Sequence, residues 1–373
     1  MNTGKARHLL EEFLSPADVH INGNNPWDLR VYNDKFFSKA LVDGSLGAGQ
    51  AYVENWWDCL RLDEFYYRII SMSIDQKMKK NRTLLSNVFL SKLFNRQTIS
   101  KAYRAGQRHY NIGNELFAYM LDKRMIYTCG YWHGATTLDQ AQENKLELIC
   151  LKLNLKPDMR ILDIGCGWGG FAKFAADKFK VQVTGITVSH EQAKLARKTC
   201  EGLPVDIQLM DYREVKGEFD RVVSLGMFEH VGYKNYRTFM NVAHRSLRAN
   251  GLFLLHSIGS NTTSTWTDPW INHYIFPGTM LPSIRQIGRA IERLFVMEDW
   301  HNFSADYDKT LMAWHENFIS HWESIKDHYD DKFYRMWNYY LLSCAGSFRA
   351  RKNQLWQIVL SKGGVPGGYV SVR

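Results

Sequence analysis

Apolar and polar positions change period several times along this chain, and the changes mark its elements. Arg160-Ile-Leu-Asp-Ile164 is an apolar-rich run without alternation, which reads as a strand buried on both faces. Four glycines follow between positions 165 and 170, and then Phe171-Ala-Lys-Phe-Ala-Ala176 takes up helical spacing. The same alternation of short apolar runs and helical periods predicts strands at Val181–Thr187, Val205–Leu209, Phe219–Ser224 and Gly251–Ser257. Helices are predicted over Ser189–Cys200 and Asn235–Leu247. A later pair of strands, Phe295–Asp299 and Leu355–Ser361, brackets a helical insertion from about 308 to 348. Five strands alternating with helices imply an α/β fold with a doubly wound, mainly parallel sheet. The last strand, arriving after a long insertion, is expected to run antiparallel.

Before residue 75 the pattern is different. Short helical stretches alternate with turn clusters at Asn22-Gly-Asn-Asn-Pro26 and Asp43-Gly-Ser-Leu-Gly47, and Asn55-Trp-Trp-Asp58 forms an aromatic knot. Three regions follow: a helical N-terminal domain at 1–75, a basic linker at 76–108, and an α/β domain at 109–373.

The linker is where charge changes the picture. Net charge is +9, and between Asp75 and Glu115 there is no acidic residue but nine cations, among them Lys77, Lys79, Lys80 and Arg82. Leu84, Leu85, Val88, Phe89 and Leu93 recur there at helical spacing. An apolar stripe flanked by cations fits an interfacial helix on an anionic bilayer. A nucleic-acid partner would want a recognition motif, and none accompanies the patch, so no nucleic acid is expected. A solvated helix packing one stripe on a neighbour accounts for the same pattern.

The six cysteines are scattered without Cys-x-x-Cys or paired histidine spacing, which excludes a zinc site or a disulfide framework. No metal is expected. The N-terminus lacks the apolar core of a signal peptide and no window approaches a membrane span, so a cytoplasmic protein is expected. With 12 Trp and 14% aromatic residues, lined cavities are as reasonable as a large aromatic core.

The glycine turn carries the first chemistry. Bare backbone lets a ligand lie against it, and Asp163 closes the preceding strand, placed to bind a charged or hydroxylated group. The form Asp163-Ile-Gly165-Cys166-Gly167-Trp168-Gly169-Gly170 resembles the first motif of S-adenosylmethionine-dependent methyltransferases more than a dinucleotide fingerprint. A nicotinamide site also wants an acidic residue about 20 positions on. The second strand instead ends in Thr187-Val188-Ser189 with Gln192 nearby, a departure from the general methyltransferase pattern as well. Asp211-Tyr212-Arg213 follows the third strand, a position to meet an adenine. Glu229-His230 follows the fourth and His256 ends the fifth, so topology brings Glu229 and His256 to the cofactor's edge of the sheet. Methyl transfer to an oxygen or nitrogen needs a base for the nucleophile's proton. Transfer to an alkene leaves a carbocation, which needs aromatic faces, exclusion of water and a mild base.

Several further motifs make the resemblance specific. Tyr127-Thr-Cys-Gly-Tyr-Trp132, the glycine loop, Gly226-Met-Phe-Glu-His-Val-Gly232 and Leu255-His-Ser-Ile-Gly259 resemble the cyclopropane-fatty-acyl-phospholipid synthases. So do Asp268-Pro-Trp-Ile-Asn272, Tyr274-Ile-Phe-Pro277, Leu281-Pro-Ser283 and Ala305-Asp-Tyr-Asp308, in the same order. The likeness extends to Gly44–Gly49 and Asn55–Trp57, covering essentially the whole chain. It implies a Rossmann-like class I methyltransferase sheet with a smaller helical N-terminal domain. It also implies methylene transfer from S-adenosylmethionine to cis double bonds of phospholipid acyl chains, by a homodimer held peripherally at the inner face of a membrane. The implied base is a bicarbonate ion, caged by Cys129, Glu229, His256, Tyr307 and the main chain of Ile258. The implied cofactor contacts are Tyr127, Thr128, Asp163 to Phe171, Thr187, Val188, Ser189, Gln192, Asp211 and Tyr212. The family pattern commonly has Ser where Thr128 stands, which keeps the hydroxyl. Cys344 is also proposed as catalytic in the family, although carbocation chemistry needs no covalent thiol. A lipid methyltransferase giving a methyl-branched or methylene product, or one acting on carrier-bound chains, is the rival enzyme. An inactive lipid-binding relative is the rival outside catalysis.

Overall fold

The computed structural model describes residues 3–72 and 113–373. The basic linker predicted at 76–108 therefore lies outside the described residues. Two compact units emerge. One comprises the described residues within Met1–Phe94 together with Trp266–Pro277 and Tyr307–Asn353. The other comprises those within Asn95–Thr265, Gly278–Asp306 and Gln354–Arg373. Compactness thus groups the 307–353 helices with the N-terminal helices, a different line of division from chain order.

The second unit is built on seven strands: β1 (Arg160–Ile164), β2 (Gln182–Thr187), β3 (Val205–Leu209), β4 (Phe219–Leu225), β5 (Leu247–Ser260), β6 (Val296–Asn302) and β7 (Asn353–Ser361). Their order is β3-β2-β1-β4-β5-β7-β6. β1 pairs in parallel with β2 and β4, β2 with β3, and β4 with β5, whereas β7 runs antiparallel to β6. This is the mainly parallel sheet expected from the alternating pattern, in the arrangement that the resemblance to class I methyltransferases implies. β5 is longer than its apolar run, because Leu247 pairs with Phe219 ahead of a register shift and the strand continues through Ser260.

Side-chain parity sorts the sheet's two faces. Leu162, Ile164, Val222, Phe253 and Leu255 pack with Phe239 and Met240 of helix Tyr236–Ser246 and with Ile287 of helix Ile284–Ile291. Ile161, Val223, Leu252, Leu254 and Val359 take the opposite face. They pack against Leu146 and Ile149 of helix Leu138–Lys152 and Phe171 and Phe174 of helix Gly170–Phe179. Both faces are covered, which is why the strands read as unbroken apolar runs. Counting by twos from Ile161, Leu254 and Val359 puts Asp163, His256 and Gln357 on this second face, under helix Leu138–Lys152.

In the first unit the Asp43–Gly47 turn expected from composition is not a free turn. It lies inside helix Lys35–Val53, which breaks only at Gly44 (φ 57°, ψ −133°) and resumes. Gly44 supplies the conformation that a side chain would resist, so the sequence signal was real but marked a kink. Gly49 faces the Trp270 ring so closely that a Cβ would collide with it. The aromatic knot resolves into Trp57, buried against Phe36, Tyr52 and Phe65 at 5.5, 5.2 and 5.7 Å between ring centroids. Helix Asp331–Arg349 is tied in by Arg349, which bonds Asp308 and Asp63, and by Arg335, which bonds the Tyr52 and Trp57 carbonyls. No helix among the described residues is long and apolar enough to cross a membrane.

Candidate active site

The glycine loop is fixed by hydrogen bonds from its own backbone. The Gly165 and Cys166 amides both donate to the Ile186 carbonyl at 3.0 Å, pinning the turn to the end of β2. Gly165, Gly167 and Gly169 all have positive φ, at 89°, 54° and 83°. A side chain at Gly165 would also meet Met227, and one at Gly170 would meet the Arg124 carbonyl and Ile126. At Gly167 there is open space within 4 Å. That glycine clears room for a ligand.

The open space is part of a cleft at the carboxyl ends of the parallel strands. Tyr127, Thr128, Asp163, Gly165, Cys166, Gly167, Trp168, Gly170, Phe171, Thr187, Val188, Gln192, Asp211 and Tyr212 line it. Gly169 and Ser189 do not. Gly169 turns the loop with a Cβ position facing Cys200, and the Ser189 hydroxyl caps helix His190–Thr199 by accepting from Gln192 N. Met125 lines the cleft without having been named from the sequence, and Arg213, Met227 and His230, named there only as parts of their motifs, line it as well. Burial pushes the His230 imidazole down to about 4.

Asp163 is the strongest polar feature. Its carboxylate is 1% exposed, and neither oxygen has a hydrogen-bond partner among the described residues. Burial pushes it up to about 7, with the charge of Lys145 pulling the other way. Thr187, at the end of β2, donates its hydroxyl to Gln192 Oε1 at 2.9 Å. Asp211 is committed to a neighbour: the Arg213 side chain donates to both its oxygens, at 2.7 and 2.8 Å. Arg213 also lies 5.1 Å from the centre of the Tyr212 ring, whose hydroxyl is buried and unpartnered among the described residues. The Tyr127–Cys129 segment sits over the end of β4, where Thr128 approaches Gly226 closely enough to exclude a Cβ. Behind it, Lys145 Nζ donates to Thr128 Oγ1 at 2.8 Å, and Gln142 Nε2 to the Thr128 carbonyl at 2.8 Å.

A second group of polar atoms gathers along β4 and β5. Leu225 registers with His256, and the Ile258 amide donates to Glu229 Oε1 at 2.6 Å. The other Glu229 oxygen is buried with no partner among the described residues, and burial pushes the acid up to about 7. His256 is 1% exposed and held well below its ordinary range, first by burial and then by Lys145 and Lys152. Its Nδ1 lies 3.4 Å from Gln357 Nε2, and its Nε2 has no partner among the described residues. With Gln357 donating, the imidazole is neutral with its proton on Nε2. The Cys129 thiol, fully buried, donates to the Gly130 carbonyl at 3.1 Å.

Tyr307 and Cys344 belong to the other compact unit. Tyr307 is buried against Phe348, with ring centroids 4.4 Å apart. The Cys344 thiol is pushed up to about 12, first by burial and then by the negative charge of Asp268. It is a neutral thiol at any physiological pH.

Lys145 and Gln357 had no sequence signal. A lysine in an amphipathic helix reads as surface, and a glutamine on a strand reads as neutral. Only the covering of both sheet faces reveals them.

Residues 97–358 match the family profile described as mycolic acid cyclopropane synthetase. The chain is 51% identical to the cyclopropane-fatty-acyl-phospholipid synthase of Escherichia coli, over 95% of this chain and 93% of that protein. It is 37% identical to a probable fatty acid methyltransferase of Pseudomonas putida, over 68% of each. Among solved structures, the cyclopropane synthase MmaA2 of Mycobacterium tuberculosis aligns with TM-score 0.66 and 29% identity, over 70% of this chain and 98% of that one. The mycolic acid cyclopropane synthase CmaA1, solved with SAH and CTAB, aligns with TM-score 0.66 and 30% identity over the same shares.

Proposed function

The chain belongs to the cyclopropane synthetase family, and from that premise we propose how its own residues carry the reaction. It is an S-adenosylmethionine-dependent methyltransferase that transfers a methylene group to an unsaturated lipid. The acceptor we assign is the cis double bond of a phospholipid acyl chain already in a membrane. The enzyme reaches it as a cytoplasmic homodimer bound peripherally to the anionic inner face. The nine-cation segment between Asp75 and Glu115 supports that reading, since a carrier-protein client would not need a bilayer platform.

The cleft fits the cofactor in its chemistry. A buried carboxylate with two unpartnered oxygens is costly unless a ligand satisfies it. Asp163 therefore takes a cationic or hydroxylated part of the cofactor, and the bare backbone at Gly165 and Gly167 admits the rest. Tyr127, Thr128, Trp168 and Phe171 close over the loop side, and Thr187, Val188 and Gln192 form the β2 side. Asp211 positions the Tyr212 ring through Arg213 and does not offer a free carboxylate.

A single observation carries the choice of base. Among the described residues, Glu229 Oε2 and His256 Nε2 are both buried without a hydrogen-bond partner, on segments that follow and form adjacent strands. An anion bearing one hydroxyl and several acceptor oxygens satisfies both at once, and bicarbonate is such an anion. When bound, bicarbonate supplies a weak base for the proton that the methylated alkene must lose. Glu229 accepts its hydroxyl hydrogen, His256 donates Nε2–H to an oxygen, and the segment at Cys129 and the Ile258 main chain wall the pocket. Gln357 keeps His256 in the donating tautomer. A bound weak base can take the proton without a protein side chain having to serve as the base.

Incubating the protein with S-adenosylmethionine and vesicles of unsaturated phospholipid, then analysing the lipids by mass spectrometry, tests the assignment. The expected product gains one CH2 and loses its alkene, with activity rising on added bicarbonate. A methyl-branched product that keeps an alkene, or one bearing a hydroxyl, would refute ring closure.

A further inference from the structure

One cap sequence, Ser-x-x-Gln, opens two helices of the second unit and is wired differently in each. At Ser283-Ile-Arg-Gln286 the capping box is closed. The Gln286 amide donates to the Ser283 hydroxyl at 3.2 Å, and Gln286 Oε1 accepts from the Ser283 amide at 2.9 Å. Gln286 Nε2 donates to the Ser264 carbonyl at 3.1 Å, so both ends of that side chain are spent on the protein. At Ser189-His-Glu-Gln192 the first half is the same, with the Gln192 amide donating to the Ser189 hydroxyl at 3.3 Å. Thr187 interrupts the second half. The Ser189 amide donates to Thr187 Oγ1 at 3.2 Å, and the Thr187 hydroxyl donates to Gln192 Oε1 at 2.9 Å. A hydroxyl stands where the direct bond would be.

That hydroxyl fixes the sense of the amide. Thr187, Ser189 and Gln192 are all buried, so water competes little for these bonds. With the amide turned the other way, Thr187 Oγ1 would face two N–H donors, and its own hydrogen would be buried without an acceptor, which is costly. Gln192 Oε1 is therefore held by Thr187. Its Nε2 has no hydrogen-bond partner among the described residues, although the residue is 5% exposed and lines the cleft. We propose that Thr187 is a positioning residue: its hydroxyl holds the Gln192 amide with the NH2 turned into the cleft, as a contact that only donates. The inference rests on the reading of the cleft as the S-adenosylmethionine site. In nucleoside-binding folds of this kind a carboxylate beyond the glycine turn accepts from the ribose hydroxyls. An amide held in this sense gives hydrogens instead, so the ribose oxygens act as acceptors toward Gln192. Their own hydrogens turn to another acceptor, and the Asp163 oxygens, unpartnered among the described residues, line the same cleft.

Calorimetry on the full chain with S-adenosylhomocysteine and its 2′-deoxy and 3′-deoxy analogues tests this. The parent should bind S-adenosylhomocysteine on the order of tenfold more tightly than at least one deoxy analogue, which lacks an oxygen for Gln192 to donate to. Thr187→Val keeps the side chain's shape but frees the amide to turn, so that preference should collapse to within about twofold. Thr187→Ser, which keeps the hydroxyl, should keep the preference. In a Gln192→Met background the preference should already be gone, and adding Thr187→Val should lower it no further. A Thr187→Val chain that loses one common factor of affinity for all three ligands would mark a merely structural threonine and overturn the proposal. A parent that binds all three alike overturns it too. Should Thr187→Val fail to fold, Thr187→Ala carries the same expectation. A parent chain that binds no S-adenosylhomocysteine would refute the reading of the cleft itself, a separate failure.

Discussion

Glu229→Gln should lose most turnover while making the protein more stable at alkaline pH. The substitution keeps the side chain's shape and the carbonyl oxygen that accepts from Ile258 N at 2.6 Å. What it removes is a negative charge that is 5% exposed, with one oxygen unpartnered among the described residues. In catalysis, that oxygen is the acceptor for the base's hydroxyl hydrogen. Losing one preorganised charged contact costs on the order of 10²-fold in turnover, about 2.7 kcal/mol of barrier. Stability moves the other way. Burial raises the acid from 4.5 to about 7, so the folded state holds its proton over a range where the unfolded chain has released it. The stability this contributes is complete below about pH 4.5 and is lost as pH rises through about 7. At about 1.4 kcal/mol per pH unit, that difference amounts to roughly 3 kcal/mol. The glutamine variant escapes this loss. Its advantage should be absent near pH 4.5 and approach about 3 kcal/mol above pH 8. Thermal unfolding across pH reads the stability, and release of S-adenosylhomocysteine reads the turnover. Near-parental turnover would take Glu229 out of the mechanism. A pH–stability slope identical to the parent's would refute the buried, reluctantly ionised carboxylate.

Three further outcomes are expected. Gly167→Val should abolish S-adenosylmethionine binding in calorimetry while the domain stays folded, because its φ of 54° disfavours a side chain and the Cβ would enter the cleft. Unchanged affinity would make the loop purely structural. Cys344→Ser should keep turnover within a few-fold, because a thiol pushed up to about 12 supplies no thiolate, and a loss comparable to that of Glu229→Gln would reinstate it. Changing Lys77, Lys79, Lys80 and Arg82 together to Gln should weaken sedimentation with anionic vesicles and activity on them, most visibly at low salt, where the Debye length is ~10 Å against ~3 Å at 1 M. Activity on detergent-dispersed lipid should survive, and sedimentation equal to the parent's would move the membrane contact elsewhere.

The sequence by itself determined the sheet and much of what gathers at its edge. An unbroken apolar run, a glycine turn and a helical period are local signals, each set by the residues that carry it. Strand order in a parallel sheet then brings the ends of β1, β4 and β5 together, so Asp163, Glu229 and His256 were legible before any coordinate. Tertiary structure decided the partners. That Asp211 would be clasped by Arg213, that the Gly44 turn would be a kink within one helix, and that 307–353 would group with the N-terminal helices depend on contacts between distant segments, which no local pattern encodes. The same holds most strongly for Lys145 and Gln357. A polar residue's role is set by whether water reaches it, and water is excluded here only because a helix covers one face of the sheet and β7 arrives beside β5 after a long excursion of the chain. Burial then turns an ordinary lysine and an ordinary glutamine into groups that hydrogen-bond the Thr128 hydroxyl and the His256 ring.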